Sequence, residues 1–226
     1  WAKEHPLKMK KKPIMTPQDV LDAINNIFDE AIIVTDVGQH QMFTAQFAEI
    51  TEKKKLLMSG GIGTMGYGLP GAIGAKIGNP DTPVISISGD GGFQMNSQEI
   101  ATAVLEELPI ISCIFNNNNL GMVRQWQKLF YGKRYSMTCL RSGAACRGRC
   151  GEVECPEYTP NFIKLAEAYG AKGIHVTKKE EIEPAFREAM QSKKTPYIIE
   201  FDIDPEDLVY PMVKPNGTLE DLIMEC

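Results

Sequence analysis

Five short apolar segments, separated by helical patterns, constrain the fold of this chain more than any other feature of its sequence. They lie at 31–35, 83–88, 109–115, 173–176 and 196–201, and their residues do not alternate with polar ones. Strands without such alternation are buried on both faces, and strands that alternate with helices form parallel sheets. The sequence therefore predicts an α/β fold, a three-layer sandwich with a mainly parallel sheet covered by helices on both faces.

Helical patterns fill the segments between the predicted strands. Thr16 and Pro17 suit the N-cap and the first position of a helix. Further helices are predicted at 65–77, 97–107, 120–130, 161–169 and 179–190, and Gly170 suits a C-terminal cap. We divide the chain into a linker at 1–15, an α/β domain at 16–204 with a cysteine-rich insertion at 139–160, and a C-terminal tail or lid at 205–226.

Composition and charge exclude several classes of protein. The 226 residues are 43% hydrophobic and 23% charged, which is ordinary for a globular protein, and the net charge of −5 argues against a nucleic-acid-binding protein. No apolar run approaches the roughly 18 residues of a membrane helix, and the first residues lack the apolar core of a signal peptide. We expect a cytoplasmic protein without membrane or nucleic-acid partners. Since it begins at Trp1, we expect a processed or truncated chain, or a piece of a longer one.

The loops that follow the strands are the expected ligand sites, because parallel sheets bind ligands outside the carboxyl ends of their strands. These loops lie at 36–41, 60–65, 89–93 and 116–122. Asp90 stands between glycines after one strand, and Asn117 follows the next strand. Gly-Asp-Gly alone is equally typical of a tight turn. One strand–helix–strand unit, however, brings both side chains to the same sheet edge, where their oxygens can share a hard cation.

A cation held at this edge predicts a phosphate ligand as well. Mg²⁺ prefers about six oxygens and takes several of them from phosphate or water. The glycine amides near Asp90 and the start of the 120–130 helix offer N–H groups to an anion. The chain contains neither the dinucleotide-binding Gly-x-Gly-x-x-Gly pattern in its usual context nor a P-loop. The sequence therefore predicts a diphosphate that is bound through Mg²⁺.

Several sequence blocks, in a fixed order, resemble one enzyme family. The blocks are Val37-Gly38-Gln39-His40-Gln41, SGGIGTMGYGLP at 59–70, Gly89-Asp90-Gly91, NNNNLGMVRQW at 116–126 and Pro211-Met212-Val213. They are similar to the C-terminal, thiamine-diphosphate-binding domain of the acetohydroxyacid synthase (acetolactate synthase) large subunit. The resemblance covers about 16–138 and 160–226.

The resemblance implies a role for each matched residue. Asp90 and Asn117 would be side-chain ligands of Mg²⁺, with the Asn119 carbonyl as a third ligand. Met65 would be the apolar wedge that bends the cofactor, although helix packing is the simpler interpretation of a lone methionine. The residues expected to bind the cofactor are Val37, Gly38, Gln39, His40, Gly63, Met65, Asp90, Gly91, Gly92, Asn117, Asn119, Leu120, Gly121 and Met122.

Met122 and Trp126 are four residues apart on the 120–130 helix and therefore share a face. Core packing would explain this pair equally well from the sequence alone. The resemblance implies that this face lines the pocket for the second 2-oxo acid, so that Met65, Met122 and Trp126 would shape the catalytic site. His40, taken alone, would be an ordinary loop histidine, and the block around it favours a place at the phosphates.

The resemblance implies an acetolactate synthase, a transferase that condenses two pyruvates, or pyruvate and 2-oxobutyrate, with loss of CO₂ in branched-chain amino acid biosynthesis. It also implies FAD, bound mostly outside this chain, a homodimer or higher oligomer, and a regulatory small subunit. The activating glutamate of the family belongs to a pyrimidine-binding domain that this sequence does not contain. Two alternatives remain open, which are the diphosphate-binding subunit of another 2-oxo acid decarboxylase and a non-catalytic module.

Four cysteines crowd the insertion at 139–160, namely Cys139, Cys146, Cys150 and Cys155. Four thiolates within this length could hold Zn²⁺ or an iron–sulfur cluster, although their spacing matches no established pattern. Disulfides or free thiols are the other interpretations. Cys113 lies in an apolar run and is expected to be a buried thiol.

Overall fold

A computed structural model describes residues 7–140 and 160–224. The strands of its main sheet are β1 (Ala31–Thr35), β2 (Lys54–Met58), β3 (Val84–Gly89), β4 (Ile111–Asn116), β5 (Lys172–Val176) and β6 (Tyr197–Asp202). They are ordered β2-β1-β3-β4-β6-β5, and every neighbouring pair is parallel. Because all of these strands point the same way, their carboxyl ends form one edge.

Eight α-helices lie within the described residues. They are α1 (Pro17–Ile27), α2 (Gln39–Phe47), α3 (Gly68–Gly78), α4 (Asp90–Met95), α5 (Ile100–Leu105), α6 (Gly121–Phe130), α7 (Phe162–Tyr169) and α8 (Ile182–Ala189). Short 3₁₀ turns precede α5 and α8, at Ser97–Glu99 and Lys179–Glu181. After the sheet, β7 (Met212–Val213) and β8 (Leu222–Ile223) pair antiparallel, with a third 3₁₀ turn at Leu219–Asp221 before β8.

Two apolar cores lie on opposite faces of the sheet. Ile33 and Ile85 face a core built with α1, α2 and α8, whereas Ile32 and Val84 face a core built with α3, α5 and α7. Neighbouring strand residues thus alternate between two buried faces, which explains why the strands carry no polar alternation. The predicted three-layer α/β sandwich is confirmed.

Local signals at two helix ends are also confirmed. Thr16 caps α1, since its hydroxyl accepts from Asp19 N at 3.2 Å and its own N–H donates to Asp19 Oδ2 at 2.8 Å. This reciprocal pair is a capping box. Gly170 ends α7 at a φ of 88°, the left-handed conformation that favours glycine.

The elements α2, β2, α4, β7 and β8 were missed, and some predicted boundaries were wrong. The sequence analysis placed 36–41 in a loop, but α2 begins at Gln39, and no strand was predicted at β2. β2 is an edge strand with lysines, so its pattern is not apolar. The helix predicted from residue 65 begins at Gly68, and the predicted loop at 89–93 consists of the last residue of β3 and the first turn of α4. Asp90 therefore stands at a helix start.

The predicted linker and the predicted tail contact each other. Lys12 Nζ lies 2.6 Å from Asp204 Oδ2 and also pairs with Asp207, while Met15 is buried. The end of the linker is therefore packed on the domain, although the proposed domain boundaries stay a prediction. In the described ranges, no helix has both the length and the apolar character that crossing a bilayer requires.

Candidate functional site

A cavity of about 340 Å³ opens at the carboxyl ends of β1, β3 and β4. Every residue that the sequence analysis assigned to the cofactor lines it, together with residues of the tail. The tail contributes Ile203, Asp204 and Asp207 to its wall. The structure therefore brings the predicted residues together at one sheet edge, as the topology of parallel strands requires.

Asp90 is the buried carboxylate at this edge. Its Oδ1 accepts from the Gly91 N–H at 2.8 Å, whereas its Oδ2 has no hydrogen-bond partner. Burial raises the pKa of Asp90 to about 7, against the opposing effect of the backbone amides of Gly91 and of residues 117–119. A buried polar atom without a partner is costly, and such a group usually marks a place that a ligand completes. A hard cation at Oδ2 fits this carboxylate.

The turn that carries Asn117 and Asn119 lies beside Asp90. Asn117 Oδ1 accepts from Asn119 N at 3.0 Å, and Asn119 Nδ2 donates to the Asn117 carbonyl at 2.7 Å. Asn118, between them, has a φ of 58°, which asparagine tolerates. A carboxamide oxygen has two lone pairs, so Asn117 Oδ1 retains one for a cation. The donor set of Asp90 and Asn117 thus fits Mg²⁺.

Close approach of the backbone explains two glycines of the site. A Cβ on Gly91 would lie 2.6 Å from Leu120 Cδ2, and a Cβ on Gly121 would overlap the side-chain oxygen of Gln39. Neither position therefore has space for a side chain. Glycine lets the backbone come close to its neighbours at these positions, and both glycines line the cavity at which a diphosphate is predicted.

His40 lies in the first turn of α2, packed between two glycines. A Cβ on Gly38 or on Gly89 would come within 3.0 Å of its ring. Burial lowers the pKa of His40 to about 4, although Asp36 acts in the opposite direction, so the ring is neutral at pH 7. Its Nε2 has no partner. A neutral imidazole can offer one N–H or accept one hydrogen bond at the wall of the cavity.

Asp36, directly after β1, has a role that was not predicted from the sequence. Asp36 is fully buried, and its carboxylate accepts from the backbone N–H groups of Val37 (2.7 Å), Gly66 (3.0 Å) and Gly68 (2.9 Å). These bonds fix the loop that carries Met65 against the first strand. An acidic residue directly after a buried strand was the available signal, but the sequence does not show that distant amides converge on it.

The three residues predicted to shape the catalytic site lie in different surroundings. Met65 and Met122 both line the cavity, and Met65 is 38% exposed. Trp126 does not line the cavity in this structure. It is 37% exposed and meets Phe130 edge-on, with ring centroids 5.4 Å apart. The part that Trp126 plays in a substrate pocket stays a prediction.

The predicted cysteine site lies almost wholly outside the described residues. Cys146, Cys150 and Cys155 fall there, while Cys139 is partly exposed and is a free thiol. Its segment pairs with the asparagine turn, since Leu120 N donates to the Thr138 carbonyl at 2.7 Å. Cys113 is buried, and burial raises the pKa of its thiol, as expected for a structural cysteine.

Comparisons with known proteins agree with this geometry. The family model "Thiamine pyrophosphate enzyme, C-terminal TPP binding domain" matches residues 36–201. A probable acetolactate synthase large subunit of Methanocaldococcus jannaschii is 43% identical over 215 residues, which are 94% of this chain and 33% of that protein. The acetolactate synthase large subunit of Corynebacterium glutamicum is 43% identical over 210 residues, covering 92% of this chain and 32% of that protein.

A third relative, the acetolactate synthase large subunit of Porphyra purpurea, is 41% identical over 224 residues, covering 99% of this chain and 35% of that protein. The chain thus spans about a third of the length of the curated relatives that it matches. The resemblance to acetolactate synthase large subunits is confirmed. Since the family model covers well over half of the residues, the chain belongs to the C-terminal TPP-binding domains of the thiamine pyrophosphate enzymes.

Proposed function

We propose that this chain is the cofactor-binding catalytic domain of an acetolactate synthase. It holds thiamine diphosphate through Mg²⁺ and condenses two pyruvates, or pyruvate and 2-oxobutyrate, to an acetohydroxy acid with loss of CO₂. The unpartnered Oδ2 of Asp90, buried in a cavity that the predicted residues line, carries this proposal. The relatives support the reaction, because they are named acetolactate synthase large subunits.

The residues of the chain bind and orient the cofactor. Asp90 and Asn117 hold Mg²⁺ by their side-chain oxygens, with the Asn119 carbonyl as a third ligand. The amides of Gly91 and Gly92, and the loop at 37–40, face the diphosphate. When bound, thiamine diphosphate supplies the nucleophilic carbon of the reaction.

Apolar side chains keep water from the reacting end of the cavity. Met65 and Met122 line the cavity, where Met65 would support a bent cofactor and Met122 would form the wall at the start of α6. Neutral His40 stands at the phosphate end, where its ring is fixed by the two glycines that flank it. A cavity lined both by polar side chains such as Asp90 and Asn117 and by apolar ones such as Met65 and Met122 suits a cofactor with a charged tail and a reactive ring.

The active unit includes more than this chain. A pyrimidine-binding domain or subunit supplies the activating glutamate, and the enzyme is a homodimer or higher oligomer, with FAD held mostly outside this chain and with a regulatory small subunit. A Zn²⁺ or iron–sulfur site at the clustered cysteines has no support from the described residues. The cytoplasmic location stays a prediction.

Calorimetry tests the cofactor site directly. Thiamine diphosphate should bind the 226-residue chain only when Mg²⁺ is present, and Asp90→Ala should remove most of this binding. Asp81→Asn is a matched control, because Asp81 is an exposed acid before the opposite, amino end of β3. Equal affinity in Asp90→Ala and the control would contradict the proposal.

Product analysis tests the reaction. The chain is combined with a pyrimidine-binding domain of a related large subunit and supplied with pyruvate. Acetolactate is the expected product. Acetaldehyde and CO₂ alone would instead indicate the second candidate, a subunit of a 2-oxo acid decarboxylase.

A further inference from the structure

The helix α6 carries a polar residue at its most buried position. Gln125 is fully buried, while the neighbouring Arg124 and Trp126 remain partly or largely accessible. Burial of an uncompensated carboxamide is costly, so such a side chain must be hydrogen-bonded. The contacts that satisfy Gln125 therefore indicate what this helix is fastened to.

Gln125 binds the backbone of the tail at two points. Its Oε1 accepts from the Val209 N–H at 2.9 Å, and its Nε2 donates to the Val209 carbonyl at 2.9 Å. The two contacts fix the orientation of the amide, since the N–H of Val209 requires an oxygen and its carbonyl requires a donor. Val209 is itself fully buried. Both the N–H and the carbonyl of Val209 are therefore bonded to the Gln125 side chain, and these bonds attach the tail to α6.

The same amide also contacts a residue of the cavity wall. Gln39 Nε2 donates to Gln125 Oε1 at 2.8 Å and to the Asp207 carbonyl at 3.1 Å. Gln39 Oε1 in turn accepts from Asn117 Nδ2 at 3.4 Å. One continuous set of hydrogen bonds therefore joins the tail, α6, α2 and the asparagine turn at the cavity.

We propose that Gln125 is a positioning residue, which fastens the tail segment 203–209 to α6 and so completes the wall of the cavity. Ile203, Asp204 and Asp207 line the cavity together with Met122 of α6. Loss of the clamp frees the tail at Val209, while Lys12 still pairs with Asp204 and Asp207 and Arg124 still pairs with Glu206, so the wall should shift without the tail coming away. This inference rests on the proposed function only for the identity of the ligand.

The same helix provides a matched control. Gln127 makes the same kind of two-point clamp, since its Nε2 donates to the Ser136 carbonyl at 3.0 Å and its Oε1 accepts from Ser136 N at 3.2 Å. Gln127 does not line the cavity; it holds the 136–138 segment, where the Thr138 hydroxyl also donates to its Oε1 at 3.4 Å, and the bond from Leu120 N to the Thr138 carbonyl does not involve the Gln127 side chain. Gln125→Met and Gln127→Met thus each remove a side-chain amide that bonds one backbone N–H and one backbone carbonyl, at two places on one helix.

Hydrogen exchange of the full chain measures the clamp itself. In Gln125→Met, the Val209 amide should exchange about tenfold faster or more, because at least one net hydrogen bond is lost. In Gln127→Met, the Ser136 amide, rather than the Val209 amide, should exchange faster. Unchanged Val209 exchange in Gln125→Met, or an increase matched by every core amide, would overturn the proposal, since the second result indicates a general loss of stability.

Two further readouts test the effect on the cavity. In a Trp1→Phe background, Trp126 is the single tryptophan; it does not line the cavity but reports on α6, and its emission should shift in Gln125→Met but not in Gln127→Met. Affinity for thiamine diphosphate with Mg²⁺ should fall about tenfold in Gln125→Met and stay within about twofold in Gln127→Met. Faster Val209 exchange with unchanged Trp126 emission and affinity would mean that Gln125 anchors the tail without positioning the cavity, which overturns the proposal.

A second variant keeps the test decisive if Gln125→Met does not fold. Gln125→Glu preserves the shape and the acceptor but places an oxygen against the Val209 carbonyl, so the same exchange and emission changes are expected. If the unmodified chain binds no thiamine diphosphate, the proposed function fails, while Val209 exchange and Trp126 emission still decide the role of Gln125.

Discussion

Acidic side chains lie at two places near the carboxyl end of the sheet, after β3 and on β6. The two places differ in the hydrogen-bond partners of these side chains. After β3, Asp90 keeps its Oδ2 without a partner beside the cavity. On β5 and β6, Glu200 accepts from Asn116 Nδ2 at 2.6 Å, and His175 pairs with Asp202 at 2.9 Å. Ligand atoms of His175, Glu200 and Asp202 lie within 4.8 Å of one another, so proximity alone does not distinguish the two groups.

The two groups differ in whether their oxygen atoms find hydrogen-bond partners within the chain. An unsatisfied buried oxygen costs free energy in the isolated chain, and an external ligand removes this cost. The side chains of His175, Glu200 and Asp202 are hydrogen-bonded mainly to one another and to Asn116. We therefore expect substitutions after β3 to change ligand binding strongly, and substitutions at β5 and β6 to change stability slightly.

The largest effect is expected for Asp90→Asn. Mg²⁺-dependent affinity for thiamine diphosphate should fall at least about a hundredfold, because a charged ligand of the cation is lost. The ligand-free variant should be more stable than the original chain at pH 8, by up to about 4 kcal/mol, since burial raises the pKa of Asp90 to about 7. This gain should be small at pH 4 and should vanish below about pH 3, where Asp90 is protonated in both states. Chemical denaturation at pH 8 and at pH 4 measures it, and lower stability at pH 8 would contradict the argument.

The two described histidines should respond to pH in opposite directions, and His40 gives the larger effect. Burial lowers its pKa to about 4, so folding favours the neutral ring and stability falls as the pH falls from 6.5 towards 4. The expected contribution is up to about 3 kcal/mol. His40→Asn should lose this part of the pH dependence, whereas His175→Asn should retain it. Equal acid sensitivity in His40→Asn and the original chain would show that His40 is not responsible.

A smaller effect is expected for Gly91→Ala. The added Cβ would lie 2.6 Å from Leu120 Cδ2, so the leucine must move, at a cost of about 1–3 kcal/mol. Because Leu120 also lines the cavity, cofactor affinity should fall about tenfold, and calorimetry measures it. Gly74→Ala, where a Cβ meets nothing within 4 Å, is the control and should leave affinity unchanged.

The smallest effect is expected for His175→Asn. Asp202 raises the pKa of His175 although partial burial acts against it, so the stability from this pair is present below pH 6.5 and is lost as the pH rises through the raised value. Both side chains are about half exposed, which limits the contribution to a few tenths of a kcal/mol. Cofactor affinity should not change. A change in cofactor affinity in His175→Asn would contradict the expectation that only substitutions after β3 strongly affect ligand binding.

Much of the fold was predictable because it depends on local patterns. The apolar segments identified β1, β3, β4 and β6 to within one or two residues, and Thr16 and Gly170 identified two helix ends. The edge strand β2 was not predictable, because its lysines hide the pattern. Helix α2 was missed because its glutamines and histidine carry little apolar periodicity.

The candidate site was predictable as far as neighbouring residues formed recognisable blocks. Asp90, Asn117 and the glycines stand in such blocks, and the topology brings these blocks together. Asp36 and Gln125 were missed, because their importance comes from partners about 30 and 84 residues away. No local pattern indicates that Gly66 or Val209 will meet them.

The buried carboxylate of Asp36 has a consequence for how this chain can change. A Cβ on Gly92 would lie 2.6 Å from Asp36 Oδ1, and a Cβ on Gly68 would lie 3.0 Å from Asp36 Cβ. A smaller residue at 36 would make room beside Gly92, but a Cβ on Gly68 would still lie 2.6 Å from Ser88 Oγ, and the amides of Gly66 and Gly68 would lose their acceptor. A change at 36 therefore does not compensate for a change at 68, and a library that varies either position is expected to yield few functional clones.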